Sequence, residues 1–338
     1  MSRVLIGMSG GVDSSVAAYL LKEEGYDVVG VTMSLYSNSE KQIEDAKKVC
    51  EKLGIEHHIV NYKEKFKSEV IDNFITNYIN GKTPNPCIVC NKKLKFGLLW
   101  EKAKELNCEY IATGHYADIK DNKIYKIDSP KDQSYFLYKI DKEVIPHILF
   151  PLSKYTDKNK IREIAQRENL VEVAEKKDSQ DICFIENGDY TKFLEENINI
   201  LPNKGDFIYK GNVIGKHKGI IYYTIGQRKG LGISYKHPLY VVSIDKQNNQ
   251  VILGKEEDLY SKTIYLKDIN ILVDNLPKKC LGKIRYKSNL VPCSIEIIDE
   301  YLKVTFEQPV KSATPGQSLV LYDNDVLLGG GVINHIEK

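Results

Sequence analysis

Along the first half of the chain, short apolar runs alternate with longer stretches of helical period. Arg3–Gly7 reads as a short apolar strand, a glycine turn follows, and Ser14–Glu24 is amphipathic at helical spacing. Asp27–Met33 predicts a second strand, Ser39–Leu53 a helix with Ser39 as its N-cap, and Ile55–Val60 a third strand. Tyr62–Ile79 and Asn91–Leu106 read as further helices, Tyr110–Gly114 as a strand, and Asp157–Leu170 as one more helix. Strands joined by helices of this length imply right-handed crossovers and a parallel sheet covered on both faces. After about residue 199 the texture changes. Gly219–Thr224, Leu239–Ile244, Val251–Leu253, Ser294–Ile298, Leu302–Phe306 and Ser318–Tyr322 are short β-rich segments between Gly, Asn, Asp and Pro turns, the spacing of small barrels or sandwiches. The pattern therefore predicts an α/β, Rossmann-like parallel-sheet domain over 1–198, a small β-rich central domain over 199–260 and a β-barrel-like domain over 261–338.

Composition narrows the class. The chain has 338 residues, 42% hydrophobic and 28% charged, ordinary for a globular protein and too apolar for disorder. Mean hydropathy is -0.35, and no apolar run approaches the ~18 residues of a spanning helix. The opening Met-Ser-Arg-Val-Leu-Ile-Gly lacks the charged head and long apolar core of a secretory signal. Seven cysteines do not make a disulfide scaffold here. A cytoplasmic protein with no membrane partner is the expectation. The formal net charge of +2 is uninformative, but its distribution is not. Residues 81–104 hold six Lys against one Glu, and residues 204–236 hold six Lys and one Arg against one Asp. Such stretches are ordinarily solvated faces, and they also suit phosphate contacts.

The strand Val4–Gly7 runs into Met8-Ser9-Gly10-Gly11-Val12-Asp13-Ser14-Ser15 and then directly into a helix. Two glycines let the backbone turn tightly and bring N–H groups to an anion, and the helix N-terminus adds partial positive charge. Asp13 is suited either to capping that helix or to helping hold Mg²⁺ against phosphate oxygens. The turn is neither a Walker A loop, which ends in Gly-Lys-Ser/Thr, nor a G-x-G-x-x-G dinucleotide fingerprint. Two later segments carry thiols in polar company. Thr83-Pro84-Asn85-Pro86-Cys87-Ile88-Val89-Cys90 leads into a helix, and Lys92, Lys93 and Lys95 there lower the cost of a thiolate. Cys183 lies in Lys176-Lys177-Asp178-Ser179-Gln180-Asp181-Ile182-Cys183-Phe184-Ile185. Cys50 and Cys108 fit core positions, and Cys280 and Cys293 fit structural positions in the β-rich half. A zinc site would need two more ligands, and no second C-x-x-C or suitably spaced His pair exists.

The turn resembles the PP-loop of ATP pyrophosphatases, which split ATP between its α and β phosphates. With the two cysteine segments and Tyr-Thr-Ile-Gly-Gln-Arg-Lys-Gly-Leu-Gly, the chain resembles the tRNA-specific 2-thiouridylase family over essentially its whole length. The matching segments are Gly7–Ser15, Asn85–Phe96, Ala112–Ala117, Lys131–Tyr138, Lys177–Ile185, Tyr223–Ile233 and Phe306–Leu321. The resemblance implies that ATP, with Mg²⁺, adenylates the C2 oxygen of the wobble uridine of tRNA. A persulfide sulfur then replaces that oxygen, giving 2-thiouridine, AMP and pyrophosphate. It implies Cys183 as persulfide carrier and Cys90 as the thiol that cleaves the S–S bond by exchange. Gly7, Met8, Ser9, Gly10, Gly11, Val12, Asp13, Ser14, Met33 and Gly114 would line ATP. Asn85, Pro86 and Cys87 would meet the flipped target base. His115, Lys131, Asp132, Gln133, Arg285, Tyr286 and Gln317 match tRNA-contact positions. The implied partners are tRNA and a persulfide donor protein, either a cysteine desulfurase or a sulfur relay protein.

Family members differ at position 87, where an acidic residue also occurs. A thiol there places Cys87 with Cys90 and Cys183 as a three-cysteine set that could seat a 4Fe–4S cluster with one open iron. Persulfide and cluster chemistry both remain open on this reading, as does another PP-loop pyrophosphatase acting on tRNA. The rivals are an amide-forming synthetase, a tRNA lysidine synthetase, and a non-enzymatic RNA-binding or sulfur-carrier protein.

Overall fold

The computed structural model describes residues 1–36, 39–170, 182–200 and 203–337. Lys177–Asp181 of the second cysteine segment lie outside the described residues. The chain divides into two units: 1–70 with 87–180 and 325–327, and 71–86 with 181–324 and 328–338.

In the first unit, β1 (Arg3–Gly7), α1 (Val12–Glu23), β2 (Asp27–Ser34), α2 (Glu40–Leu53) and β3 (Glu56–Asn61) follow the predicted alternation. Short helices α3 (Lys63–Phe66), α5 (Pro86–Cys90) and α6 (Leu99–Glu105) lead to β4 (Tyr110–Ala112), while α4 (Asp72–Ile79), which follows α3 in sequence, belongs to the second unit. The hairpin β5 (Asp118–Lys120) and β6 (Lys123–Tyr125), then β7 (Ile148–Leu149) and α7 (Lys158–Arg167), complete it. The parallel sheet runs β3-β2-β1-β4-β7. Val4, Leu5 and Ile6 of β1 are fully buried because β1 is central and covered on both faces. Val16, Ala17 and Leu21 of α1 join Ile161 and Ala165 of α7 in one apolar cluster with β1.

Three local readings change. Ser39 caps no helix N–H; its hydroxyl donates to the carbonyl of Tyr36. The long helix expected over 62–79 is interrupted by a π turn at Lys67–Ile71. The helix expected from Asn91 already begins at Pro86, because proline lacks the N–H that an N1 position leaves unpaired and is preset for helix. Cys90 is therefore inside a helix and not at its threshold, and a π-helical stretch, Asn91–Leu98, follows it.

In the second unit, α4 and α8 (Tyr190–Asn197) flank a four-stranded sheet ordered β10-β11-β8-β9. Its strands are β8 (Gly205–Tyr209), β9 (Asn212–His217), β10 (Tyr240–Asp245) and β11 (Gln250–Gly254). Phe74, Leu194, Phe207 and Val241 share its core. The Gly219–Thr224 segment, expected as a strand, instead contains a 3-10 turn at Ile220–Tyr222, with Gly219 at φ 142. The remaining strands are β12 (Tyr260–Ile271), β13 (Lys279–Lys283), β14 (Val291–Ile298), β15 (Tyr301–Lys311), β16 (Ser318–Asp323) and β17 (Val326–Glu337). They run β12-β15-β14-β13-β16-β17 and close into a barrel where β12 also pairs with β17. Closure pairs the first and last of these six strands with each other, and β17 also meets β6 at Val326 and Tyr125. Among the described residues, no helix is long and apolar enough to cross a membrane.

Candidate active site

The phosphate turn leaves β1 between its neighbours β2 and β4, where strand order reverses and ligands of open α/β sheets bind at the carboxyl ends. Gly7 is in register with Val31, and Met33 lies two residues further along β2. Gly10 adopts φ 66, and a Cβ there would stand 2.5 Å from the Gln42 carbonyl oxygen, so glycine is required. The Ser9 N–H donates to Ser14 Oγ at 3.2 Å, and the Ser15 hydroxyl donates to the Gly11 carbonyl at 2.9 Å. The Thr32 hydroxyl donates to the Met8 carbonyl at 2.9 Å, tying β2 to the turn. Gly114 follows β4 so closely that a Cβ would lie 2.9 Å from both the Asp13 carbonyl carbon and the Ser14 nitrogen. The structure thus brings Gly7–Ser14 and Gly114 together at one end of the sheet.

Asp13 lies in the first turn of α1 and is not its N-cap, which is Gly11. Its carboxylate accepts from Lys158 Nζ at 2.5 and 2.6 Å and from the Tyr116 hydroxyl at 2.6 Å. Lys158 is only 12% exposed at its side chain, so this charge is held inside the site. Sequence reasoning missed both partners. A signal existed: Lys158 opens α7, where a cation opposes the helix dipole, and Asp157 already caps by accepting from the Asn159 N–H. A lysine placed against that local preference has a tertiary task.

Residues 115–116 and 131–133 form one interlocked loop. The Gln133 side-chain carbonyl accepts the Tyr116 N–H at 3.0 Å, and the Gln133 N–H returns to the Tyr116 carbonyl at 2.7 Å. Asp132 accepts from the Ile127 N–H and the Ser134 hydroxyl, while the Lys131 N–H donates to Ser129. His115 is buried, hydrogen-bonded to Thr113 Oγ1 at 2.8 Å and set against the Phe96 and Phe150 rings. Burial, seconded by Lys95, holds its pKa well below 6.5, so the ring is neutral.

Cys87 reaches the surface and Cys90 is buried one helical turn on. Crowding by the chain pushes the Cys87 thiol up, and Lys95 draws it back only in part. Lys92 and Lys93, expected to favour a thiolate, face Asp141 at 3.4 Å and Glu69 at 3.7 Å instead. Cys50, Cys108, Cys280 and Cys293 are buried, and burial raises Cys50 to about 12, which makes it unreactive.

The other candidates belong to the second unit. Asn85 and Pro86 end a loop held by the Thr83 N–H on the Pro315 carbonyl at 2.9 Å and by Gln317 Nε2 on the Thr83 carbonyl at 3.1 Å. Cys183 is exposed on a turn. Beside it Ile185 is buried, and Phe184 meets Phe74 and Phe193 at 5.6 and 5.2 Å, so apolar neighbours anchor the turn that carries the thiol. Arg285 and Tyr286 lie in the loop joining β13 and β14, with Lys283 Nζ 5.5 Å from the Tyr286 ring centre. Among the described residues, no group of three or more His, Cys, Asp or Glu side chains is placed to hold a metal ion.

A parallel sheet with a glycine turn after its central strand, a small four-stranded sheet and a closed six-stranded barrel define the class. Residues 2–187 match the tRNA methyl transferase HUP domain family, 191–255 its PRC-barrel domain, and 261–333 the aminomethyltransferase beta-barrel domain. Among curated relatives, the tRNA-specific 2-thiouridylase MnmA of Clostridioides difficile (strain 630) is 44% identical over 98% of this chain and 98% of its own. That of Clostridium acetobutylicum is 47% identical over 98% of this chain and 99% of its own. The chain belongs to the tRNA-specific 2-thiouridylase family.

Proposed function

We propose that this protein is an ATP-dependent sulfurtransferase that 2-thiolates the wobble uridine of tRNA in the cytoplasm. The observation that carries the reading is the pairing of an intact phosphate turn with an exposed, anchored thiol at Cys183. An amide-forming synthetase has no use for that thiol. Gly7–Ser14, Met33 and Gly114 receive ATP at the carboxyl ends of the strands, and Asp13 would help hold Mg²⁺, whose charge would offset that of the phosphates. The uracil C2 oxygen attacks the α-phosphorus and pyrophosphate leaves. AMP is then the leaving group when the terminal sulfur of a Cys183 persulfide bonds to C2. The Cys90 thiolate next attacks the Cys183 sulfur, which leaves the transferred sulfur on C2 and a Cys90–Cys183 disulfide that a thiol reductant reopens. The persulfide comes from a donor protein, a cysteine desulfurase or a sulfur relay protein.

Asn85, Pro86 and Cys87 face the extruded base, and His115, Lys131, Asp132, Gln133, Arg285, Tyr286 and Gln317 hold the tRNA. The work divides among domains 1–198, 199–260 and 261–338. The mechanism above runs through no 4Fe–4S cluster on Cys87, Cys90 and Cys183. The deciding experiment incubates the protein with ATP, Mg²⁺, a persulfide donor and unmodified tRNA. Mass spectrometry should then find 2-thiouridine in the tRNA digest; AMP formed without thiolation overturns the reading.

A further inference from the structure

The Tyr-Thr-Ile-Gly-Gln-Arg-Lys-Gly stretch has no part in the chemistry above, yet it walls a cleft of about 740 Å³ in the second unit. Four tyrosines (Tyr190, Tyr222, Tyr223, Tyr240) and three cations (Lys218, Arg285, Lys311) line the cleft, and no carboxylate is among its lining residues. Aromatic faces with positive charge and no acid select a ligand that is planar and anionic, which is the chemistry of a nucleotide.

The cleft is built, not incidental. The Gly226 N–H donates to the Val241 carbonyl at 2.8 Å, the Val241 N–H to the Gln227 carbonyl at 2.9 Å, and the Thr224 N–H to Gln227 Oε1 at 3.1 Å. Gly226 adopts φ 89, and a Cβ there would come within 2.8 Å of Ser312 Oγ. Ser312 itself holds φ 59, an unfavourable backbone for a residue with a side chain. Lys218 Nζ lies 3.9 Å from the centre of the Tyr222 ring, and Tyr190 is backed by Tyr78 in a stack at 4.9 Å. Lys311 is tied to Glu256, leaving Lys218 and Arg285 as the cleft's phosphate donors.

We propose that this cleft holds one nucleotide of the tRNA strand other than the wobble uridine, its base against a tyrosine ring and its phosphate toward Lys218 and Arg285. The inference rests on the tRNA reading above. A free mononucleotide shares the chemistry. A strand is favoured because exposed Arg228, Lys229 and Lys236 lie in or just beyond the same turn segment and suit neighbouring phosphates, which a free nucleotide lacks.

The test uses the full chain with unmodified tRNA, comparing wild type, Tyr240→Ala and Tyr240→Phe. Ultraviolet crosslinking with peptide mass spectrometry should place a nucleotide other than the wobble uridine on a peptide containing Tyr222 or Tyr240. Tyr240→Ala should raise the half-saturating tRNA concentration roughly tenfold with turnover at saturation unchanged, and Tyr240→Phe, which keeps the ring, should restore it. Unchanged half-saturation in Tyr240→Ala, or crosslinks confined to the wobble uridine itself, overturns the inference. So does free AMP or UMP binding that Tyr240→Ala abolishes while tRNA binding is untouched. Crosslinking reads binding alone. Wild type that binds and crosslinks tRNA without thiolating it therefore defeats the functional reading and not this one.

Discussion

At the scale of single residues, the charge balance around Asp13 decides how the nucleotide site works. Its carboxylate is matched by Lys158 and the Tyr116 hydroxyl. An anion arriving at the turn brings charge that the same lysine can serve. Lys158→Met should lower tRNA-dependent AMP formation roughly 10²–10³-fold, the scale of losing one fixed cation at a phosphoryl-transfer site. Because the pair is partly exposed, the stability cost should be modest, about 1–2 kcal/mol in denaturant unfolding. AMP formation within threefold of wild type would count against that role. His115 gives a second prediction. Its folded pKa lies below 6.5, so the unfolded chain binds more protons there, and the contribution to stability is complete above pH 6.5 and lost as pH falls below it. In His115→Phe, which keeps the ring contacts with Phe96 and Phe150, the unfolding free energy should fall less steeply with acid between pH 6.5 and 5. Parallel curves for the two proteins would show that His115 does not titrate in this way. Asp13 was legible in the sequence as a functional acid because its turn is local. Lys158 was not, because it stands 145 residues away and contact across that span leaves no local pattern.

Elements show the same division. Strands β1 to β4 of the parallel sheet and helices α1, α2 and α7 were legible because their apolar periods are strong; the two-residue β7 was not, and the 3-10 turn at Ile220–Tyr222 reads as a strand from its run of buried apolar and aromatic residues. Where α5 begins depended on proline chemistry: the segment from Thr83 to Cys90 reads as the lead-in to a helix, but Pro86 is already the first helical residue. The contact between β4 and the phosphate turn is an element-level property that no motif announces. Gly114 lets the end of β4 lie against the backbone of Asp13 and Ser14, and an added methyl would stand 2.9 Å from that backbone. Gly114→Ala should therefore displace the turn, costing about 1–3 kcal/mol of stability by overpacking. AMP formation should fall at least tenfold, with tRNA affinity in filter binding changed less than twofold. Loss of tRNA affinity in step with AMP formation would mean that β4 serves RNA binding and not the nucleotide.

For the whole molecule, the decisive question is how sulfur is held. Cys90 belongs to the first unit and Cys183 to the second, so sequence position alone could nominate them but not say what chemistry joins them. A relay and a cluster both need these two thiols, and substitution of either therefore cannot separate the schemes. Cys87 can. A relay uses two sulfurs, one to carry and one to exchange, and desolvation raises the pKa of the Cys87 thiol, which lowers its own thiolate fraction at neutral pH. A three-ligand cluster seat would lose both iron and activity when Cys87 is removed. Cys87→Ala, purified in air and supplied with a persulfide donor, should keep at least a third of wild-type thiolation. One round without reductant should leave a Cys90–Cys183 disulfide, visible by non-reducing peptide mapping. Anaerobic protein that holds iron and is alone active, with Cys87→Ala inactive and no such disulfide, would replace the relay with the cluster while leaving the tRNA substrate in place.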